Sequence, residues 1–310
     1  PGRPLRFVDN LLGRAARGSK QAAEVGEEEV NAAFASETGM PTVLIDDREH
    51  LDRALTRTWF RDRVIGQEEA VELAVDTVAT IKSRLSRPGQ PLASFLFIGP
   101  TGVGKTELAK ALSEFFYGSR DRLRRLDMSE FGNPGSATRL VSADAAGGEG
   151  LLTAQKREEP VSVLLLDEFE KAYPDVFDLF LQVLGEARLT DGAGRVADFG
   201  NAVIILTSNL GAETFANSRL GFSNQSAPCA DASQHFTAAA QKAFRPEFFN
   251  RIDRIVPFSP LDRTTVDSVV LREVAAAGDR DGLRARELSL EVSDTVLEKL
   301  ASAGFDPLLG

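Results

Sequence analysis

The sequence predicts an α/β fold: a parallel sheet covered by helices on both faces, followed by a smaller, mostly helical region. Three observations carry this. Strongly apolar runs recur at Phe95–Ile98 and Val161–Leu166 and within Asn201–Thr207, each with the composition of a strand buried on both faces. Helical stretches alternate with them, as the crossovers of a parallel sheet require. The first run also breaks at Gly99-Pro100 into a glycine-rich turn. That turn opens a helix with apolar residues at Leu108, Ala111, Leu112 and Phe115.

The turn reads GPTGVGKT from Gly99 to Thr106 and fits GxxxxGK[ST]. Its glycines let backbone N–H groups turn inward around phosphate oxygens, and the helix N-terminus adds positive potential there. The candidate nucleotide set is therefore Gly99, Pro100, Thr101, Gly102, Val103, Gly104, Lys105, Thr106 and the adjoining Glu107. In this arrangement Lys105 reaches the β- and γ-phosphates, and the Thr106 hydroxyl ligates Mg²⁺.

The rest of the chain is ordered around that turn. Residues 1–57 carry two helical stretches, Arg6–Ala16 and Glu27–Glu37, the second closed by Gly39-Met40-Pro41. A charged surface helix over Arg48–Arg61 follows, with Leu51, Leu55 and Trp59 spaced along it. Val64-Ile65-Gly66 precede a long amphipathic helix, and the Arg87–Pro91 loop feeds the first strand. Leu123–Met128 reads as a short strand. Gly132–Gly150 reads as an exposed loop with a helical piece at Ala137–Val141. Leu210–Ser233 has the composition of a long surface loop. Beyond Leu261 come a helix to Ala277, a short alternating strand at Leu288–Val292 and a helix over Ser293–Ala303. The expected division is 1–57 as a helical lead-in, 58–258 as the nucleotide-binding domain and 259–310 as part of a helical lid.

Composition narrows the function classes. At 310 residues, 43% hydrophobic and 26% charged, the chain has ample material for a packed core. A net charge of −10 argues against a nucleic-acid backbone as the main partner. The single cysteine, Cys229, excludes an intramolecular disulfide and suits a reducing, cytoplasmic setting. The two histidines, His50 and His235, lack ligand spacing, so no zinc site is expected. No apolar run approaches membrane-spanning length, and no stretch from Pro1 to Gly310 reads as a signal peptide. Beginning at Pro1 and stopping at Gly310, the chain reads as a piece of something longer.

Two carboxylates, Asp167 and Glu168, follow the run VSVLLL, at the carboxyl end of a strand where open parallel sheets bind ligands. Beside a phosphate loop they divide the work: Asp167 holds Mg²⁺ and Glu168 polarises the attacking water. Hydrolysis is thus expected, and the lack of an NKxD guanine-reading motif argues against a GTPase. Asn209, closing ILTSN, is placed to orient that water, or else to make a strand-end turn. Arg251, in FRPEFFNRID, has no partner in its own site at that distance along the chain. It would serve as an arginine finger across a subunit boundary. The competing readings are an ion pair with Glu247 or Asp253, and Arg245 as the finger instead.

The chained motifs VIGQ, GPTGVGKTELAKAL, LDMSEF, LLLDEFEKAYPDVF, TSNLGA, FRPEFFNRID and GFDP resemble the second ATPase module of the Clp family of AAA+ proteins (ClpA, ClpB, ClpC). The resemblance runs from about Arg63 to Gly310, and residues 1–57 resemble the tail of the preceding module and its linker. It implies an ATP phosphohydrolase assembled as a hexameric ring that acts on protein substrates. It also implies that Lys105 and Thr106 form the Walker A pair, Asp167 and Glu168 form Walker B, and Asn209 is sensor 1. Arg251 would be the finger, and Val64 and Ile65 would pack on the adenine.

Two departures from the family pattern stand out. Threading members carry a Gly-Tyr-Val-Gly pore loop, whereas Arg139–Gly150 here reads RLVSADAAGGEG, shorter and without an aromatic. The expectation is ATP turnover without a grip of its own on a passing chain. The sequence also stops before the arginine the family carries as sensor 2, so weak nucleotide binding by the isolated piece is expected. Leu220-Gly221-Phe222 stands where ClpA- and ClpC-like members dock a ClpP-like peptidase. A local anchor pinning a long loop is the other reading. An ATP-dependent assembly scaffold, or the unfoldase partner of such a peptidase, are the alternatives to a remodelling motor.

Overall fold

In the computed structural model, residues 7, 8, 11, 13, 25–85, 87–142, 148–215 and 229–304 are described. Five parallel strands run in the order β2-β3-β6-β1-β7: β1 (Ala93–Ile98), β2 (Leu123–Asp127), β3 (Ser162–Asp167), β6 (Ala202–Ser208) and β7 (Arg254–Pro257). The apolar runs lie at the centre of the sheet, where every residue of β1 and β6 is buried. Side chains alternate across the sheet as the strand period of two demands. Leu96, Ile98, Leu164, Leu166, Ile204 and Leu206 face one hydrophobic core. Phe95, Phe97, Val163, Leu165, Val203 and Ile205 face the other.

Each core is closed by helices. Helix α3 (Arg53–Arg61), α4 (Glu68–Lys82) and α5 (Lys105–Tyr117) contribute Phe60, Val71, Leu108 and Phe116 to one face. Helix α8 (Pro174–Glu186) and α9 (Cys229–Ala243) contribute Phe180 and Phe236 to the other, where Phe169 stacks on Phe248 at 5.1 Å. Burying each such side chain contributes about 1.5–3 kcal/mol. The register pairs Ile98 with Ser208, Leu166 with Leu206, and Asp127 with Asp167. The carboxyl ends of β1, β3 and β6 therefore finish side by side.

The remaining elements both follow and correct the sequence reading. Helix α1 (Glu27–Thr38) is present and ends at Gly39, the one-turn α2 (Thr42–Ile45) follows it, and α6 (Ser136–Val141) is the helical piece in the Gly132–Gly150 segment. The charged helix starts at Arg53 instead of Arg48, because the Asp52 carboxylate accepts from the N–H groups of Ala54 and Leu55 and caps it there. Helix α7 (Leu151–Glu158) and the antiparallel hairpin β4 (Arg188–Thr190)–β5 (Val196–Asp198) lie where no element was expected. The expected surface loop Leu210–Ser233 is helical at residues 212–215 and again from Cys229. Beyond β7, α10 (Arg263–Gly278) and α11 (Asp294–Gly304) match the two expected helices. The expected strand at Leu288–Val292 is irregular: Leu288 and Leu290 are about half exposed, and no strand pairs with the segment. Most of the Arg6–Ala16 stretch and residues 305–310 lie outside the described residues.

Candidate functional site

The three aligned strand ends bring the candidate residues together from distant parts of the sequence. The turn after β1 leads into the first residue of α5, Lys105, which is 8% exposed. Its ammonium donates to the carbonyls of Gly99 (2.6 Å) and Pro100 (2.8 Å) and to Asn209 Oδ1 (2.6 Å). Burial pushes this amine down to about 8, against the opposing pull of Glu170, Asp167 and Glu168. Gly99 is required by close approach: at φ +150°, a Cβ there would lie 2.4 Å from the Phe258 carbonyl oxygen.

From Lys105 the network continues through Asn209 to the end of β3. Asn209 Nδ2 donates to Glu168 Oε1 (3.1 Å), and the Asn209 N–H donates to Glu170 Oε1 (2.9 Å). Lys171 holds the other Glu168 oxygen at 2.6 Å, which raises the affinity of the Lys171 amine for its proton. Glu168 sits in the left-handed region (φ 53°, ψ 50°), a conformation costing a non-glycine residue about 1–3 kcal/mol. Its N–H donates to Thr207 Oγ1 (3.0 Å), and the same hydroxyl donates to Asp167 Oδ1. Asp167 Oδ2 is paired with Arg125 of β2.

The other candidates divide between site and periphery. Thr106 is half-buried in the first turn of α5, beside Lys105. Val103 is buried, whereas Thr101 and Gly102 are exposed. Glu107 turns to Lys110 (2.7 Å) and Arg120 (3.7 Å). Val64 is 3% exposed, packed in the core with Phe60, so Ile65 is the residue of that pair offering surface. A cleft of about 400 Å³ opens beside Pro100, Thr101, Glu170, Asn209 and Gly211, within the size range of ligand sites.

Arg251 lies at the opposite end of the sheet. Its carbonyl accepts from Ser94 Oγ (3.4 Å), near the start of β1 and about 13 Å of strand from Ile98. Its guanidinium donates to the Leu181 carbonyl (2.7 Å) and lies over Gly185, where a Cβ would be 1.6 Å from Nη1. Neither ion pair considered from the sequence forms: Asp253 accepts from the Ser94 N–H (2.8 Å) and hydroxyl (2.7 Å) instead. The competing Arg245 is paired with Asp178 at 2.9 Å. Leu220–Phe222, and residues 143–147 of the segment compared with a pore loop, lie outside the described residues.

The sequence reading missed Thr207, Arg125, Glu170 and Lys171. Glu170 and Lys171 stand in the same LLLDEFEK run, and Thr207 in ILTSN. Arg125 had no local signal, since only the pairing of β2 with β3 brings it to Asp167. The donor set fits a nucleotide and its cation. A buried ammonium faces loop carbonyls at a helix N-terminus, and a Cβ at Gly104 would enter open space. One carboxylate and one hydroxyl, with waters and phosphate oxygens completing the shell, are what a small hard cation takes.

The comparisons with known proteins point the same way. The family model described as AAA domain (Cdc48 subfamily) matches residues 90–255. The chaperone protein ClpB of Vibrio cholerae serotype O1 is 42% identical over 295 residues, covering 93% of this chain and 33% of its own length. The ClpB of Pseudomonas putida is 43% identical over 291 residues, with the same two coverages. A solved structure described as a closed-state cryoEM reconstruction of Hsp104 with ATPyS and FITC casein superposes with a TM-score of 0.77 at 34% identity. It covers 99% of this chain and 53% of that one. The chain thus spans about a third of the length of the curated relatives it matches.

Proposed function

The chain belongs to the AAA domain family (Cdc48 subfamily), Clp type, and from that membership we propose an ATP-hydrolysing module of a ring-forming, protein-remodelling chaperone. The observation that carries the reading is the continuous hydrogen-bonded chain Lys105–Asn209–Glu168 across three adjacent strand ends. On this reading Gly99–Glu107 hold the nucleotide, with Ile65 toward the base and Val64 behind it in the core, and Thr106 and Asp167 hold Mg²⁺. When bound, the metal would supply charge neutralisation to the triphosphate, and Lys105 would donate to its β- and γ-phosphate oxygens. Glu168, already bonded to Asn209, accepts a proton from the water that Asn209 orients.

The same proposal divides the chain at 58 and 259, into lead-in, nucleotide-binding domain and lid. It places Arg251 in the neighbouring subunit's site within a hexamer, supported by its position at the far end of the sheet from Lys105. A cytoplasmic setting and protein substrates complete it. The relatives named as chaperones support the protein substrates; the cytoplasmic setting rests on the sequence reading. The Arg139–Gly150 stretch, lacking an aromatic, favours a second reading in which ATP chiefly drives assembly of a scaffold. Docking of a ClpP-like peptidase through Leu220–Phe222 rests on sequence alone. Its test is loss of association in the double variant Leu220→Ala/Phe222→Ala.

The deciding experiment compares steady-state phosphate release by the parent chain and by Glu168→Gln, with solution mass recorded in Mg·ATP. The expected result is a ring whose turnover falls at least about a hundredfold in the variant. Assembly without turnover in the parent would reject the motor and leave the scaffold.

A further inference from the structure

Gln67, the residue before α4, is 5% exposed and makes three hydrogen bonds with its side chain. Its Nε2 donates to the Val103 carbonyl (3.1 Å) and to the Ser259 carbonyl (2.8 Å), while its Oε1 accepts from the Ser259 N–H (3.1 Å). These contacts need two donors and one acceptor on one side chain. Among side chains only a carboxamide offers that set: an ammonium has no acceptor and a carboxylate no donor. Asn has the right groups but is one methylene short.

The partners matter more than the number of bonds. Val103 is in the phosphate loop, two residues before Lys105. Ser259 is the first residue past Phe258, whose N–H donates to the Ile98 carbonyl (2.7 Å) and whose carbonyl abuts Gly99. Both flanks of the phosphate loop are therefore referenced to one dipeptide, 258–259: Gly99 by direct contact and Val103 through Gln67. The connector before α4 is tied to α10 as well. Arg272 donates to the Arg63 carbonyl at 2.7 Å, and a Cβ on Gly66 would meet the Thr265 methyl at 2.4 Å.

We propose that Gln67 is a positioning residue for nucleotide: its carboxamide couples the phosphate loop to Ser259, so that the loop and the C-terminal helices move together. The inference rests on the ATP-binding reading above, and concerns how that site communicates with the rest of the chain. A displacement of Ser259 by α10 is carried to the Val103 peptide, and seating phosphate on the loop is carried back to α10.

The test uses the full 310-residue chain with Cys229→Ser and dyes at two exposed positions, Leu300→Cys on α11 and Arg188→Cys on β4. Energy transfer is read with and without Mg·ATP, and amide hydrogen exchange is followed at Ser259. In the parent, Mg·ATP is expected to change the transfer, and the Ser259 amide to be protected before nucleotide is added. In Gln67→Met, Ser259 protection should fall and Mg·ATP affinity should drop roughly tenfold, with less than half of the transfer change remaining. Gln67→Asn, which keeps the amide but not the reach, should do the same and covers the case in which Gln67→Met fails to fold. An unprotected Ser259 amide in the parent, or a full transfer response in either folded variant, overturns the proposal. A parent that protects Ser259 yet binds no Mg·ATP overturns instead the nucleotide reading on which it rests.

Discussion

The central sheet and the C-terminal helices use the same apolar residue types to different ends. In β1 and β6 every residue is buried. In α10 and α11 only Val266 and Ala301 are, while Leu271, Val296 and Leu300 stay about half exposed. The sheet holds its strand ends in place by apolar burial on both faces, and so provides a fixed platform for Lys105, Glu168 and Asn209. Polar contacts tie this region to the body, Arg272 of α10 to the Arg63 carbonyl and Ser259, ahead of α10, to Gln67, and such contacts open at lower cost than a packed core. On the proposed function, the chemistry would stand on the buried sheet and the motion would belong to the lightly held helices.

The sharpest way to break the comparison is at its chemical end. Arg251→Ala should leave Mg·ATP affinity unchanged and cut turnover about a thousandfold, as loss of a finger does. Mixing Arg251→Ala with Lys105→Ala chains should restore part of the phosphate release, because some boundaries then join an intact loop to an intact arginine. Within the platform, Leu206→Ala should cost about 2–5 kcal/mol in denaturant unfolding.

The Lys105 amine gives a subtler probe through pH. Its folded value, about 8, lies below its ordinary 10.5, so between those values the unfolded chain holds a proton that the folded chain has released. The share of stability linked to this group therefore rises with pH across that window, and below it the full cost of burying the charge is felt. Phosphate needs the cationic amine, so Mg·ATP affinity should move the other way and fall about tenfold per unit above pH 8. Lys105→Met should flatten both trends. Smallest of all, Leu300→Ala on the exposed side of α11 should change stability by less than about 0.5 kcal/mol.

The sheet was legible because a strand buried on both faces leaves an uninterrupted apolar run, as in SFLFI and AVIILT. The hairpin β4–β5 was not, because three-residue strands buried only at Leu189 and Ala197 are too short to show a period. The start of α9 was masked by a Ser- and Ala-rich composition, although Ala232, Phe236 and Ala240 fall at the four-residue spacing of a buried stripe. The opposite error came at Leu288–Val292, where alternation was present but no neighbouring strand was there to pair with it. Among candidate site residues, the placement of the phosphate loop and the Asp167–Glu168 pair was readable because local spacing puts them at strand ends. Arg125 and the three bonds of Gln67 were not, because both depend on strand register and on contacts across as many as 192 positions of sequence.

Lys105 has one consequence beyond its place in the network. With its ammonium shared among two loop carbonyls and Asn209, the phosphate loop serves as its own first ligand. On the proposed function, a nucleotide would be bound by exchange, one set of oxygens for another. The free energy of binding would be the difference between two well-satisfied states, smaller than the gross attraction between an ammonium and a triphosphate. A spent nucleotide with one phosphate fewer would compete for the same amine on poorer terms, against the carbonyls of Gly99 and Pro100. Release of product would then be favoured by the same contacts that hold Lys105 in the loop.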